Sequence, residues 1–140
     1  MPKASALVHA EVQQFYAHQM QQLDLAKSGP WAATFTEDAT FDVPTLPEPV
    51  RGRPGLVAAA ERAAAALADA GERHRHFMGM LDVTERQDGS LDVRSYTVVY
   101  ASKIGGESRV HRVCVCEDIL VRVEGELQVT ARKVTRDDLP

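Results

Sequence analysis

The chain has 140 residues, of which 44% are hydrophobic, and a formal net charge of −4 at pH 7. A chain of this length can bury roughly 70% of its unfolded surface in one core, so we expect a single domain that spans residues 1–140. The acidic balance and the lack of any Lys- or Arg-rich run exclude nucleic acid and anionic membranes from the expected partners.

The first part of the chain is predicted to form helices. Between residues 4 and 27, apolar side chains recur at helical spacing and gather on one side of the helix. They are Val8, Val12, Phe15, Tyr16, Met20 and Leu23. Residues 28–30, Ser-Gly-Pro, predict a break, and residues 31–35 predict about one further helical turn. Residues 40–43 predict a short strand that stops before Pro44.

An alanine-rich helix and four long strands are predicted for the rest of the chain. The helix covers residues 54–70, where Pro54 suits the first turn and Gly71 suits the left-handed position after the last turn. The pattern then becomes extended over residues 73–86, 91–102, 109–123 and 127–135. Glycine-containing pairs at 88–89, 105–106 and 124–125 separate these strands and predict three successive hairpins.

The two cysteines and the N-terminus bear on cellular location. Cys114 and Cys116 lie two apart in a predicted strand, where their side chains share a face but extended backbone geometry disfavours a disulfide. No apolar run approaches the about 20 residues of a membrane span, and the first residues lack the apolar stretch of a signal peptide. We therefore expect a cytoplasmic protein with reduced cysteines.

The order of these elements predicts an α+β fold. An antiparallel sheet of such long strands must twist and coil, and its concave face can close over the helices that precede it. We therefore expect a cone-shaped α+β barrel, in which three N-terminal helices pack in a strongly curved, mainly antiparallel sheet. Functional side chains are expected to point into a single internal pocket.

Several short segments carry a family resemblance. They are Tyr16 with Leu23-Asp24, Trp31 with FTEDATF at 35–41, RHFMG at 75–79 and RKVTRD at 132–137. Together they extend over nearly the whole chain and resemble the SnoaL-like branch of the nuclear transport factor 2-like superfamily. This branch includes polyketide cyclases, scytalone dehydratase and bile acid 7α-dehydratase. Because the fold carries both enzymes and non-catalytic binders, function depends on individual residues.

His76 is the first candidate for a catalytic residue. In the segment HRHFMGM it alternates with His74, Met78 and Met80 on one strand face, which we expect to face the helices. A partly desolvated imidazole suits proton transfer near neutral pH. In the dehydratases that the chain resembles the matching histidine is catalytic; the alternative is a structural histidine bonded to a carbonyl. Met78 and Met80 are expected to contact the substrate.

Asp24 and Tyr16 are candidates on the first helix. Asp24 falls at the edge of the apolar stripe and at the helix end, where a carboxylate can face a pocket mouth. The resemblance implies that it orients His76 and stabilises its protonated form, whereas a solvated acid is the alternative. Tyr16 lies on the stripe, so its hydroxyl needs a partner. The resemblance implies that it polarises a substrate carbonyl, and core packing is the alternative.

Three further substrate-binding candidates are Trp31 and two arginines. Trp31 belongs to a segment of the family resemblance. Arg136 matches a final-strand arginine that binds substrate in bile acid dehydratase. Arg132 shares its strand parity, so the choice between the two arginines stays open. For either arginine, a solvated or ion-paired side chain is the alternative.

The face of the predicted strand 109–123 depends on a comparison with scytalone dehydratase. That comparison places Cys114, Cys116 and Asp118 on the pocket face, which makes Cys116 and Asp118 expected substrate contacts. His111 then points outward, unless a bulge resets the register.

Other chemistries are disfavoured. Ketosteroid isomerase has its base just before a proline in the first strand, whereas here Val43 holds that position and Asp42 faces the other side. His-x-His at 74–76 and Cys-x-Cys at 114–116 could supply four zinc ligands, but another strand separates the two pairs. Neither a glycine-rich phosphate loop nor a nucleophile elbow occurs. We expect no metal and no cofactor.

These residues predict a cofactor-free enzyme that uses general acid–base catalysis. We expect a dehydratase or a cyclase, a lyase or isomerase, that acts on a hydroxylated aromatic polyketide or similar polycyclic ketone in secondary metabolism, such as antibiotic biosynthesis. The alternative is a non-catalytic small-molecule binding or accessory protein of the same fold. A protein-interaction module ranks last, because we expect no exposed aromatic surface in the strands.

A homodimer is the expected assembly. Val113, Val115 and Ile119 are predicted to lie on the outer face of the sheet, where apolar side chains are costly to leave in water. The resemblance also implies dimerisation through this face.

Overall fold

The computed structural model describes residues 2–140. Within this range the helices are α1 (Ala6–Asp24), α2 (Ser28–Ala32) and α3 (Gly52–Ala70). The strands are β1 (Phe35–Asp42), β2 (Val50–Arg51), β3 (Glu72–Glu85), β4 (Leu91–Lys103), β5 (Ser108–Val123) and β6 (Glu126–Arg136). In the described part of the chain, no helix combines the length and the apolar character needed to cross a membrane.

The described strands form one sheet in the order β2-β1-β6-β5-β4-β3. β1 runs parallel to β6, and the other neighbouring pairs are antiparallel. β3 to β6 follow one another as a meander, which confirms the three predicted hairpins. The predicted α+β class is also confirmed, with the helices packed against a mainly antiparallel sheet in a cone-shaped arrangement.

α1 forms because its first turn is capped and its apolar residues lie on one side. The Ser5 hydroxyl accepts a hydrogen bond from the backbone N–H of Val8 at 3.3 Å, which satisfies one of the unpaired donors of the first turn. The buried residues of α1 are Val12, Tyr16, Gln19 and Met20. The helix ends at Asp24, and Ala26 then adopts a left-handed φ of 59°.

The predicted break at residues 28–30 is wrong, because these residues begin α2. The chain turns earlier, at Ala26, and the N–H of Leu25 still bonds to the carbonyl of Gln21 at 2.9 Å. Pro30 is tolerated because the first N–H groups of a helix have no intrahelical acceptor. The helical turn predicted for residues 31–35 therefore lies at Ser28–Ala32.

β1 is longer than the predicted strand at 40–43 and begins at Phe35. Phe35 pairs with Val129 of β6, and the register then shifts before Thr40 pairs with Ala131. Glu37 and Asp38 lie at this irregularity and are exposed, so the strand can contain two acidic residues that are more typical of turns.

A bulge in β3 turns Met80 away from the helices. The pairing of β3 with β4 shifts between Gly79 and Asp82, and Met80 has a left-handed φ of 54°. Met80 is 78% exposed, so its expected inward position is wrong. Strict alternation along a strand fails where an extra residue is inserted.

The core lies between the helices and the inner face of the sheet. Trp31, Phe35 and Phe41 pack at tilted or edge-to-face angles, with ring centroids between 5.0 and 6.1 Å apart. Leu56 of α3 is fully buried in the same cluster. These contacts hold α2 and α3 against β1.

The outer face of the sheet carries aromatic side chains. Phe77, Tyr96 and Tyr100 are 68%, 47% and 41% exposed, so the expectation of no exposed aromatic surface is wrong. Phe77 pairs with Val98, and Val98 pairs with Val113. An apolar row therefore crosses three adjacent strands.

Candidate functional site

An aspartate and a histidine meet where α1 ends against β3. Asp24 Oδ1 and His76 Nδ1 are 2.6 Å apart, and Asp24 Oδ2 accepts the backbone N–H of His76 at 3.0 Å. The side chain of Asp24 is 9% exposed and that of His76 is 24% exposed. One carboxylate thus fixes both the ring and the backbone of His76, which leaves the Nε2 edge of the imidazole available to a ligand.

The edge of the sheet explains why the carboxylate fits here. β3 is the last strand of the sheet, so the N–H groups on its outer edge have no strand partner. α1 packs along β3, and its final residue, Asp24, reaches one of these N–H groups. His76 pairs with Val99, which is buried, so the imidazole lies on the inner face. The structure therefore brings together the two residues that were expected to pair.

His74 and His111 lie beside His76. The ring centroids of His74 and His76 are 6.5 Å apart, and those of His74 and His111 are 4.8 Å apart. His111 is the extra residue of a β-bulge opposite β4. The bulge resets the register, and His111 contacts an inner-face histidine instead of pointing outward.

The pKa values of His74 and His111 are both lowered in the fold. Burial lowers the pKa of His74, and the imidazoles of His111 and His76 lower it further. Burial also lowers the pKa of His111, and the positive charge of Arg112 adds to this effect. Across residues 2–140, no three His, Cys, Asp or Glu side chains converge as the ligands of a metal ion would.

A cavity of about 300 Å³ begins next to Asp24, at Leu23, while Asp24 and His76 themselves are not among its lining residues. Its lining includes Leu23, Trp31, Phe41, Leu56, Ala60 and Arg112. Leu23 immediately precedes Asp24. Val99 pairs with His76 on one side and with Arg112 on the other, so His76 and Arg112 occupy one row, about 10 Å apart. We treat the cavity and the pair as one candidate site.

Arg112 was missed in the sequence, although strand parity could have found it. Alternation along β5 from Cys114 and Cys116 places Arg112 on the same inner face. Arg112 Nε is buried and has no hydrogen-bond partner within residues 2–140, and the same holds for Trp31 Nε1. Both residues line the cavity, although these two nitrogen atoms are themselves covered by protein.

Tyr16, Asp118 and Arg132 bond to one another. The Tyr16 hydroxyl donates to Asp118 Oδ2 at 2.7 Å. Arg132 Nε and Nη2 donate to the two carboxylate oxygens of Asp118 at 2.9 and 2.8 Å. Arg132 Nη2 also donates to Gln19 Oε1 at 2.6 Å, and Gln19 donates to Thr34 at 2.8 Å. The side chains of Arg132 and Asp118 are 2% and 1% exposed, so these expected substrate contacts already have protein partners.

This network keeps its charges. Burial raises the pKa of Tyr16 well above its ordinary value, and the charge of Asp118 adds to the shift, so the hydroxyl remains a donor. Burial alone would lower the pKa of Arg132, but Asp118 outweighs it and the pKa is raised. The rings of Tyr16, Phe35 and Phe41 lie 5.9, 5.3 and 6.0 Å from the guanidinium.

The remaining candidates have different positions. Trp31 lines the cavity, as a substrate contact should. Met78 is half-buried and packs against the core. Cys116 is buried, and burial raises the pKa of its thiol to about 11, so the thiol stays protonated. Arg136 pairs with Asp138 at the end of β6.

A second cavity, of about 550 Å³, lies on the outer face of the sheet. It follows a row in which Asp92 pairs with Ile119, Ile119 with Ala131, and Ala131 with Thr40. Its charged lining residues include Asp42, Arg94, Glu117 and Lys133. Asp92 lies seven residues along β4 from Val99, the residue that pairs with His76 in the sheet, which is a distance of about 23 Å. This groove is therefore separate from the candidate site.

Together, these features define a small α+β cone with a histidine–aspartate pair close to an apolar, partly open cavity. The model of the SnoaL-like domain family matches residues 4–133, and the chain belongs to this family. The expected placement in the SnoaL-like branch of the nuclear transport factor 2-like superfamily is confirmed.

Several solved structures are similar over nearly their whole length. Aln2 from a Streptomyces species is 36% identical, with a TM-score of 0.90 over 98% of this chain and 96% of that chain. ActVI-ORFA from Streptomyces coelicolor is 31% identical, with a TM-score of 0.90 over 97% and 99%. A protein from Catenulispora acidiphila in complex with S-DNPA is 33% identical, with a TM-score of 0.82 over 96% of each chain.

One similar protein is named as a subunit of a larger enzyme. The anthranilate 1,2-dioxygenase small subunit of Burkholderia cepacia is 28% identical, and the match covers 76% of this chain and 73% of that protein.

We predict that Asp118→Asn lowers the free energy of unfolding by about 3–5 kcal/mol, because it leaves the buried guanidinium of Arg132 without a counter-charge. Urea unfolding monitored by circular dichroism measures the change. Glu11→Gln is the matched control, since it breaks the exposed ion pair of Glu11 with Arg122 and should cost no more than about 1 kcal/mol. Similar losses in the two variants would contradict a structural role for the buried network.

A second prediction concerns acid stability. The pKa values of His74 and His111 are lowered by folding, so the unfolded state binds more protons below about pH 6.5 and stability falls with pH there. Above that pH this contribution is fully present. His74→Gln should reduce the loss of stability between pH 7.5 and 5.5, measured by urea unfolding. His18→Gln, on the exposed side of α1, is the control and should keep the wild-type slope.

Proposed function

We propose that the chain is an enzyme that catalyses proton transfer by general acid–base chemistry. His76 is the proposed acid–base group, and Asp24 is the residue that positions it. The observation that carries this proposal is the 2.6 Å contact between Asp24 Oδ1 and His76 Nδ1 on the inner face of the cone. The adjoining apolar cavity supplies space for a substrate.

The geometry supports one proton path. Because Asp24 accepts the Nδ1–H of His76, the neutral ring carries its lone pair on Nε2, which is the atom that takes up a proton. The Asp24 carboxylate and the negative end of α1 both stabilise the imidazolium that then forms. Nε2 can remove a proton from a carbon next to a ketone or return one to a departing hydroxyl.

The proposed substrate is a hydroxylated aromatic polyketide or a similar polycyclic ketone. Apolar walls and a volume of about 300 Å³ suit a flat molecule of two or three rings. The relative in complex with S-DNPA supports small-molecule binding. Dehydration and ring closure both use the proton path above, so the proposal includes both. It also includes a cytoplasmic location, a role in secondary metabolism such as antibiotic biosynthesis, and action without a cofactor.

The test uses deuterium exchange at the activated CH₂ of 2-tetralone, followed by proton NMR in D₂O. The wild-type protein should exceed free imidazole at equal concentration, and His76→Gln should lose about 10²- to 10⁴-fold of the protein-catalysed rate. Asp24→Asn should also slow exchange, because it no longer fixes the ring tautomer. His18→Gln, on the exposed side of α1, should exchange like the wild type.

Circular dichroism and thermal unfolding must show that the variants are folded. A folded His76→Gln variant with the wild-type rate would refute the assignment. So would a wild-type protein no faster than imidazole.

A non-catalytic binding or accessory protein is the second proposal. It is favoured by the similarity to a dioxygenase small subunit, since a subunit of that name works with other chains. A binder would gain thermal stability from 2-tetralone or a related ketone without accelerating exchange.

We also propose a homodimer through the outer face. Phe77 and Val113 belong to the exposed apolar row that crosses three strands. Light scattering should give twice the monomer mass for the wild type and the monomer mass for Phe77→Glu. Leu7→Glu, an equally apolar exposed position on α1, should remain dimeric. A monomeric wild type is the contrary outcome.

A further inference from the structure

Three of the five histidines in the sequence lie together at the inner face of the sheet. The ring centroids of His74 and His76 are 6.5 Å apart, and those of His74 and His111 are 4.8 Å apart. His74 is therefore close to both of the other rings. The proton path of the proposed function uses His76 alone, which leaves His74 and His111 without a role.

The three rings become more exposed with distance from Asp24. The side chain of His76 is 24% exposed, His74 is half-buried, and His111 is exposed. A ketone bound against His76 Nε2 covers the ring of His76 further, whereas the ring of His111 stays in contact with solvent. The cluster therefore connects the proposed site with water.

The distances suit proton transfer along the cluster. The centroids of His74 and His76 are too far apart for a direct hydrogen bond, because a ring nitrogen lies only about 1 Å from the ring centre. One water molecule that accepts from one ring and donates to the other spans this gap. The rings of His74 and His111 are closer and are tilted by 37° to each other.

No carboxylate holds the ring of His74, in contrast to the ring of His76. Glu72 lies two residues before His74 on the same strand face, but it is paired with Arg109 at 2.6 Å. Within residues 2–140, no carboxylate oxygen lies within 4.0 Å of a ring nitrogen of His74. A proton on His74 is therefore not trapped by an ion pair.

The surroundings of His74 favour its neutral form. Burial lowers its pKa most, and the imidazoles of His111 and His76 lower it further. The charge of Glu72 opposes this shift, and the charge of Arg112 adds to it. These groups lie on β3 and β5, the two strands that form the cluster. A proton that reaches His74 is therefore passed on.

The proposed proton path contains a step that slows exchange with solvent. The Asp24 carboxylate stabilises the imidazolium of His76, so it also slows the release of the proton from that ring. A proton that stays on Nε2 beside the enolate returns to the carbon from which it came. Exchange with solvent therefore requires a route by which this proton leaves His76 while the ketone is bound.

We propose that His74 relays protons between His76 and the solvent, and that His111 is the exposed end of this relay. The inference rests on the proposed function, because it adds a proton route to that reaction. After His76 Nε2 has taken a proton from the carbon next to the ketone, a water molecule accepts this proton and gives one of its own to a nitrogen of His74. The other nitrogen of His74 releases its proton to His111 or to water, so each ring returns to the neutral form. In D₂O the reverse sequence brings a deuteron to His76, and the electron pair of the enolate carbon forms the new C–D bond.

The test follows deuterium uptake by 2-tetralone in a bulky buffer at about pH 7.5. His74→Gln should take up deuterium about 10-fold more slowly than the wild type, a smaller loss than the 10²- to 10⁴-fold expected for His76→Gln. Added free imidazole should restore the rate of His74→Gln, after subtraction of the rate without protein, because a small base replaces the missing ring. The wild type and His76→Gln should not respond to imidazole in this way. A merely structural role of His74 would not produce this response.

His18→Gln is the matched control, because it makes the same substitution at an exposed histidine outside the cluster. It should keep the wild-type rate and show no response to imidazole. His111→Gln should lose less than His74→Gln, because water takes the place of an exposed ring. Circular dichroism must show that His74→Gln is folded. If it is not, His111→Gln decides: a loss that imidazole restores supports the relay, and an unchanged rate contradicts it.

A folded His74→Gln variant with the wild-type rate would overturn the relay, and so would a loss that imidazole does not restore. If His76→Gln loses exchange while His74→Gln keeps it, this inference fails and the proposed function stands. If the wild type is no faster than imidazole alone, the proposed function fails and the relay fails with it.

Discussion

The buried ion pair of Arg132 and Asp118 fixes the first helix to the sheet. The two residues face each other across β6 and β5, and Tyr16 and Gln19 of α1 bond to the same pair. Charges this deeply buried are stable only when their hydrogen-bonding capacity is filled, so α1 has one favourable position on the sheet. Asp24 lies eight residues beyond Tyr16, about 12 Å along the helix. Its contact with β3 therefore depends on the buried pair.

The sequence predicted the element order and the Asp24–His76 pair, because helical spacing, strand alternation and the family resemblance are local patterns. It failed where the backbone is irregular. Met80 lies in a bulge that reverses its face, and His111 is itself an inserted residue. The comparison with scytalone dehydratase, extended along the strand by parity, placed Asp118 on the inner face, where it lies. It did not show that this carboxylate is already bonded, because that depends on how closely α1 approaches the sheet.

The inner face of the sheet carries two arginines, Arg132 and Arg112, whose surroundings differ. Arg132 is enclosed by three aromatic rings and a carboxylate, whereas Arg112 is partly exposed and forms no ion pair within residues 2–140. Both arginines lie on strands of the same meander, so composition alone does not distinguish them. Their partners do, since the filled set of hydrogen bonds around Arg132 stabilises the fold. The proposed catalytic pair lies at the same end of the sheet as Arg112.

The parallel pairing of β1 with β6 affects how the chain folds while it is being translated. Phe35 and Val129 are neighbours in the sheet although most of the chain lies between them. Contacts between segments so distant in the sequence cost more loop-closure entropy and slow folding. During translation the three helices leave the ribosome long before the strand that completes their enclosure. The apolar faces of these helices therefore stay exposed to aggregation until almost all of the protein has been translated.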